Sequence, residues 1–341
     1  MSRPTAIVIA GAMMYAACMR LSVIVPTWNR ADLLVEAIES VSEARVRPVI
    51  IVVDDGSQDK TESVVSALSC RYPLQYIPLS HAGYPGRCRN IGVEAADTEW
   101  IAFLDSDDRW LPEKLSRQMD ELERTGLSLC HTRERWLRAG TEVSQSHMRH
   151  ARQGDIFSDA VKKCIVGPST TLMRRDLFLR YGGYREDLEV AEDYEFLLRL
   201  LAFEKIAHVD IELIEKRAGL APQLSEKYAQ IEGFRIQALA GFVVDAATPR
   251  RAGGVGGSEG HAGGPSPARL GLEALTRVGR PPEPRWGSVD PASVPAGKLA
   301  IAARELARKC RVYARGAAKR GRDGDASLYE QAAREAEAVI R

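Results

Sequence analysis

Carboxylates gather at three places in this sequence. Asp54-Asp55 follow the apolar run Val49 to Val53, Asp105-Ser106-Asp107-Asp108 follow Trp100 to Leu104, and Glu192-Asp193 head an amphipathic stretch. Asp105 and Asp107 are two residues apart, and alternation along an extended chain puts such a pair on one face, as two oxygens converging on one ion require. So many acids in one crevice repel one another unless a divalent cation, a proton or a cationic partner sits among them. Hard oxygen donors point to Mg2+ or Mn2+, which keep waters and bind substrate phosphates at the same time. Arg87 and Arg89 follow the turn Gly83-Tyr84-Pro85-Gly86, where a cation and helix N-terminal amides could steady a phosphate. Each acidic cluster also suits a turn or a helix cap, and the residues alone leave that open. His147 and His150 have metal-like spacing but no companion acid or thiolate, and read as surface histidines.

The elements that must position these groups are legible from periodicity. Strands are expected at Leu21 to Val25, Val49 to Val53, Leu74 to Pro78 and Trp100 to Leu104. Helices are expected between them at Ala31 to Ser42, Lys60 to Leu68 and Gly86 to Ala95. That alternation builds a parallel sheet, whose carboxyl edge is where α/β proteins hold ligands. Further helices are expected at Glu113 to Arg124, Ile156 to Cys164 and Glu192 to Ala202, with an apolar run at Ser169 to Met173.

A formal net charge of +1 on 341 residues gives no electrostatic footprint of a nucleic-acid binder. Six cysteines without a Cys-x-x-Cys argue against a zinc ribbon or a disulfide framework and for a reducing compartment. The apolar segment Ala6 to Cys18 is too short to span a bilayer. With a strand beginning at once after Met19, residues 1–20 read as an N-terminal extension, a weak membrane-associating tail or an export signal. Between Pro249 and Gly297, 19 of 49 residues are Gly or Pro, so 246–297 reads as disordered linker. Stripes at Leu299, Ala303, Leu306, Cys310, Tyr313 and Ala317, and at Leu328, Ala332, Ala336 and Val339, predict a helical hairpin over 298–341.

Five motifs in order, Val23-Ile24-Val25-Pro26-Thr27-Trp28-Asn29-Arg30, Asp54-Asp55-Gly56-Ser57-Gln58-Asp59, Arg89-Asn90-Ile91-Gly92, Asp105-Ser106-Asp107-Asp108 and Glu192-Asp193, resemble those of family-2 glycosyltransferases over about Leu21 to Val243. The resemblance implies a GT-A nucleotide-sugar-binding fold of α/β class over 21–245, a mostly parallel, Rossmann-like sheet between helices. It implies that Asp55 reads the donor's base edge, with Pro26, Thr27 and Asn29 walling the nucleoside. It implies that Arg89 serves the donor's phosphate, that Asp105 faces the ribose or a metal-bound water, that Asp107 binds Mn2+ or Mg2+, and that Asp193 deprotonates the acceptor hydroxyl. Glu192, Gly183 and His131 fall toward the acceptor side. One base suffices for a single displacement with inversion, whereas retention by double displacement needs a nucleophilic carboxylate as well.

Downstream of Glu192-Asp193 there is neither a Gln-x-x-Arg-Trp box nor the transmembrane helices of processive synthases, which implies addition of one sugar to a glycan, lipid-linked or protein acceptor. The segment Lys216 to Leu224 lacks the histidine that many relatives place there toward the metal. The expected setting is cytoplasmic, with room for peripheral contact at the inner face of the membrane. A catalytically inactive scaffold of the same fold and a sugar nucleotidyltransferase stay open as alternatives, although the latter would carry a Gly-rich Arg/Lys loop after the first strand, which Pro26 to Arg30 is not.

Overall fold

The computed structural model describes residues 21–42, 46–138, 140–144, 150–218, 231–248, 270–276 and 286–340. The N-terminal extension, His147 and residues 219–224 lie outside them. The chain divides into two compact units: Met1–Gly154, Val166–Leu179 and Lys205–Lys227 make the first, and Asp155–Ile165, Arg180–Glu204 and Tyr228–Arg341 the second. Three segments of the range 21–245, residues 155–165, 180–204 and 228–245, belong to the second unit.

Among the described residues the first unit holds one nine-stranded sheet, in the order β3 (Leu74–Pro78), β2 (Val49–Asp54), β1 (Leu21–Thr27), β4 (Trp100–Phe103), β8 (Leu172–Arg174), β6 (Leu129–Arg138), β9 (Ala207–Ala218) and β5 (Arg109–Trp110), with β7 (Thr141–Val143) beside β6. Its first half follows the predicted alternation: β1 (Leu21–Thr27), α1 (Ala31–Ser42), β2 (Val49–Asp54), α2 (Thr61–Ser69), β3 (Leu74–Pro78), α3 (Pro85–Ala95) and β4 (Trp100–Phe103). β1 pairs in parallel with β2 and β4, and β2 with β3. Val23, Val25, Ile50 and Val52 meet Leu34, Ala37, Ile38 and Val41 of α1 in one core cluster. Each such valine, leucine or isoleucine side chain contributes roughly 1.5–3 kcal/mol on burial, which outweighs the modest strand or helix propensity of the segments. On the other face α3 lies hard against β1: a Cβ at Gly92 would stand 2.4 Å from Ile24 Cγ2.

The second half of the sheet is mixed rather than parallel. β5 (Arg109–Trp110), α4 (Lys114–Thr125), β6 (Leu129–Arg138), β7 (Thr141–Val143), β8 (Leu172–Arg174) and β9 (Ala207–Ala218) complete the sheet. β8 runs antiparallel to both β4 and β6, while β6 and β9 run parallel with two register shifts near Arg133. The apolar run Ser169 to Met173 is thus not one element: a 3-10 turn at Pro168–Thr170 precedes β8.

In the second unit, the predicted helix Ile156 to Cys164 is a single turn, α5 (Phe157–Ala160), and α6 (Arg175–Arg180) straddles the boundary. α7 (Glu192–Leu201), α8 (Ile231–Ala246) and α9 (Leu270–Thr276) follow, and the predicted hairpin forms as α10 (Ala296–Lys319) and α11 (Asp323–Ala338). Ala303, Leu306, Cys310 and Ala317 are buried, as are Ala332 and Ala336. Most of the expected linker lies outside the described residues; within it, 270–276 and 286–297 are described and ordered. Glu335 accepts from the amides of Gly271 and Leu272 at the start of α9, a carboxylate on a helix N-terminus. Trp286 is buried 5.5 Å from Phe242 and donates to Asp245 at 2.9 Å. Composition averages over a window and misses a few anchors of this kind.

Candidate nucleotide-sugar site

Two loops at the carboxyl edge of the sheet, those after β2 and β4, carry most of the predicted site. After β2, Asp54 accepts from Ser57 Oγ at 2.6 Å and from Tyr76 Oη at 2.6 Å, so this acid ties the turn to β3. Gly56 has φ +76°, and a Cβ there would meet the backbone nitrogen of His81 at 2.7 Å. Glycine therefore lets the 81–83 segment close over Asp55. The Asp55 carboxylate accepts from the amides of Ala82 (3.0 Å) and Gly83 (2.8 Å), with His81 Nδ1 at 2.8 Å and Arg87 Nη1 at 4.0 Å. His81 stacks on Trp28 with 4.4 Å between centroids, and Trp28 is 47% exposed.

Asn29, at φ +50°, links the loop after β1 to the loop after β2: its amide donates to Ser57 Oγ and its Oδ1 accepts from Gln58, both at 2.7 Å. Asp59 accepts from the Ala31 amide that opens α1 and from the Thr61 amide that opens α2, each at 3.0 Å. Burial alone would raise its carboxyl, but the Thr61 hydroxyl and these amides hold it below the usual range. Pro26 and Thr27 end β1. Thr27 Oγ1 is buried and has no hydrogen-bond partner among the described residues, which suits a wall facing a polar ligand.

After β4, each metal-motif acid meets a guanidinium. Arg89, buried in the first half of α3, donates to Asp105 Oδ1 at 2.6 Å, and Arg30 Nη1 stands 2.5 Å from Asp107 Oδ2. Burial would raise the Asp105 carboxyl, but Arg89, helped by Lys216 and Arg30, holds it below the usual range. Asp108 points elsewhere, accepting from Ser169 Oγ at 2.6 Å with Lys216 Nζ at 3.9 Å. Burial pushes its carboxyl up, and Asp105 and Asp107 add to the shift. The structure thus brings Pro26, Thr27, Asn29, Asp55, Arg89, Asp105 and Asp107 to one edge of one sheet. Sequence reasoning missed Arg30 and Ser169; Arg30 stands inside the first motif, but its partner lies 77 residues away.

Among the described residues no three His, Cys, Asp or Glu side chains group closely enough to cage a metal ion. Asp105 and Asp107 nevertheless fit Mg2+ or Mn2+: they offer hard oxygens two residues apart, and such ions take their remaining ligands from water and phosphate. An arriving cation would have to displace the guanidinium of Arg30 from Asp107.

The second unit builds the other acidic cluster. Ala191, at φ +65°, opens α7, a strained start for a non-glycine residue. Glu192 is buried there. Asp193 Oδ2 accepts from the Cys164 thiol at 3.4 Å, and its Oδ1 from the amide of Tyr194 at 2.7 Å. Arg199, fully buried, pairs with Glu195 at 2.7 Å and donates to the carbonyls of Tyr181 and Gly183, fixing the loop before α7.

His131, expected toward the acceptor side, belongs to the first unit. It is buried in β6, its Nε2 lies 2.6 Å from the Arg152 carbonyl, and burial pushes its imidazole down to about 3. Solvent hardly reaches this ring, which packs beside His208 at 4.6 Å between centroids.

Residues 22–182 match the profile of Glycosyl transferase family 2. The chain is 27% identical over 199 residues to an uncharacterized glycosyltransferase of Rickettsia felis, a match covering 58% of this chain and 33% of that protein. It is 37% identical over 108 residues to the succinoglycan biosynthesis protein ExoO of Rhizobium meliloti, 31% of each chain. The match therefore spans about a third of these curated relatives. Residues 1–349 of S. aureus TarS, solved in complex with UDP-GlcNAc, share the fold with a TM-score of 0.60 at 19% identity, over 94% of this chain and 90% of that one. The sheet topology, the ordered acidic loops and the profile match converge on one assignment: residues 22–182 carry a glycosyl transferase family 2 domain, within a GT-A fold.

Proposed function

We propose that this chain transfers a single sugar from a nucleotide-diphosphate sugar to a hydroxyl of a glycan, lipid-linked or protein acceptor, with inversion. The observation that carries the proposal is the alternation of acid and guanidinium at one sheet edge, Asp55 with Arg87, Asp105 with Arg89 and Asp107 with Arg30. The names of relatives support the donor class: TarS is solved with UDP-GlcNAc and with UDP, and the ExoO relative is named for succinoglycan biosynthesis.

In this reading Asp55 accepts from the base edge beside the Trp28–His81 stack, and Thr27 and Asn29 line the nucleoside. Asp193 takes the proton of the acceptor hydroxyl, whose oxygen attacks the anomeric carbon as the bond to the diphosphate breaks. The electron pair leaves with the diphosphate, whose charge Arg89 and Arg30 are placed to offset. A Mn2+ or Mg2+ ion held by Asp107 and Asp105 would neutralise that leaving charge as well. Among the described residues no helix is long and apolar enough to cross a membrane, and the cytoplasmic setting with peripheral contact at the inner face stays part of the proposal.

The test is a thermal-shift screen of nucleotide sugars with and without Mn2+, followed by transfer assays and NMR of the anomeric product. A ligand bound only to the native state raises apparent stability by mass action. A donor that binds and yields the inverted linkage supports the reading, and a retained anomer or hydrolysis alone defeats it. Asp193→Asn keeps the shape of the side chain but cannot take the proton. Its kcat is expected to fall by about 100- to 10,000-fold with donor affinity nearly unchanged. Wild-type transfer in that variant would move the base elsewhere.

A further inference from the structure

One buried hydroxyl fastens both ends of the acidic loop after β4. Ser169 is fully buried. Its Oγ accepts from the Asp105 amide at 3.1 Å and donates to Asp108 Oδ2 at 2.6 Å. The Asp108 amide in turn donates to the Asp105 carbonyl at 2.9 Å, closing a four-residue arc on which Ser106 and Asp107 stand. Ser169 itself is held from behind. The carbonyls of Ser169, Thr170 and Thr171 accept, one each, from Trp110 Nε1 (3.0 Å), Gln118 Nε2 (3.0 Å) and Lys114 Nζ (3.4 Å). Trp110 and Lys114 brace each other, the ammonium standing 4.0 Å over the indole, and the Trp110 amide donates to Ser40. Three consecutive carbonyls, each with its own buried donor, fix this turn more tightly than the β8 ladder alone requires, and the one side chain it offers the loop is the Ser169 hydroxyl.

We propose that Ser169 is a positioning residue that sets the Asp105–Asp107 arc in the shape that receives the donor's diphosphate with its cation. This rests on the donor-site reading above. The chemistry is ordinary: a hydroxyl that accepts from one end of a loop and donates to the other removes the loop's freedom to splay, and two carboxylates held in register bind a shared ligand at less entropic cost.

The experiment uses the full chain, UDP and Mn2+. Amide exchange in metal-free protein reads the arc directly, and calorimetry reads UDP affinity with and without Mn2+. In Ser169→Ala the Asp105 amide is expected to exchange about tenfold faster or more. The Mn2+-dependent gain in UDP affinity is expected to fall about five- to tenfold, the low end of what two lost hydrogen bonds are worth, while metal-free UDP affinity stays as in wild type. Ser169→Thr, which keeps the hydroxyl, is expected to retain the Mn2+ gain.

A folded Ser169→Ala with the wild-type Mn2+ gain overturns the proposal, and so does an equal loss of affinity with and without metal, the mark of a merely structural residue. If Ser169→Ala does not fold, Ser169→Cys, a weaker donor of similar volume, takes its place with a partial loss expected; an undiminished Mn2+ gain there counts against Ser169. Asp107→Ala separates the two readings. If it abolishes the Mn2+ gain and Ser169→Ala does not reduce it, only the positioning role is wrong. If wild type shows no Mn2+-dependent UDP binding, the donor site falls and this proposal with it.

Discussion

The loops after β2 and after β4 hold their acids by different means. Asp55 is held by backbone: the amides of Ala82 and Gly83 converge on its carboxylate over a glycine turn that admits no Cβ. Asp105 and Asp107 are held by long side chains, Arg89 and Arg30. Backbone donors are part of the fold and do not leave, whereas a guanidinium can be exchanged for another cation. The first loop is therefore built to recognise a fixed shape, and the second to change partners when charge arrives.

Removing Asp107 is the harshest break of this contrast. Asp107→Ala is expected to abolish the Mn2+ or Mg2+ dependence of UDP binding and to lower kcat by about 100-fold or more, with thermal stability near wild type, because the pair lost with Arg30 is partly exposed and exchangeable. Equal metal-dependent binding in the variant would show that the cation sits elsewhere. Asp55→Ala is expected to act in the opposite sense: donor affinity falls about 10- to 100-fold, kcat at saturating donor suffers less, and stability drops by about 1–2 kcal/mol as the 81–83 segment loses its acceptor. Titration and urea unfolding of the same sample check both halves, and an unchanged unfolding midpoint would erase the distinction between the loops. The mildest change sharpens it. Arg30→Gln removes the competitor for Asp107, so Mn2+ affinity in the absence of nucleotide, read by electron paramagnetic resonance, is expected to rise a few-fold, roughly 1 kcal/mol for a partly exposed pair. Weaker Mn2+ binding would mean that Arg30 orients the acid rather than competes for it.

What could be read from the sequence follows from the range of the forces involved. β1, β2 and β4 announce themselves because Val23 to Val25, Ile50 to Val53 and Ile101 to Phe103 are continuous apolar runs buried on both faces, and an acid that ends such a run must emerge at the sheet edge. The stripes of α10 and α11 are equally local. The partners of those acids are not. Arg30 finds Asp107 only because β1 and β4 lie side by side, and Ser169 reaches Asp105 only because β8 enters next to β4 in the antiparallel sense. The surroundings of His131 are equally non-local: β6 pairs with β9 some 77 residues downstream, which sets the His208 ring 4.6 Å from that of His131. Trp286 shows the complementary limit, a single buried indole in a stretch whose average composition reads as linker.

The double cap made by Asp59 bears on how fast a donor binds. One carboxylate closes the first turns of α1 and α2 together, and Asn29 bridges the same two loops, so neither loop can open without breaking contacts of the other. On the proposed donor-site reading, a nucleoside arriving there would meet a wall already in its final shape. Association at that half of the site should then be a single encounter step, its observed rate rising linearly with nucleoside concentration and showing no plateau from a slow rearrangement.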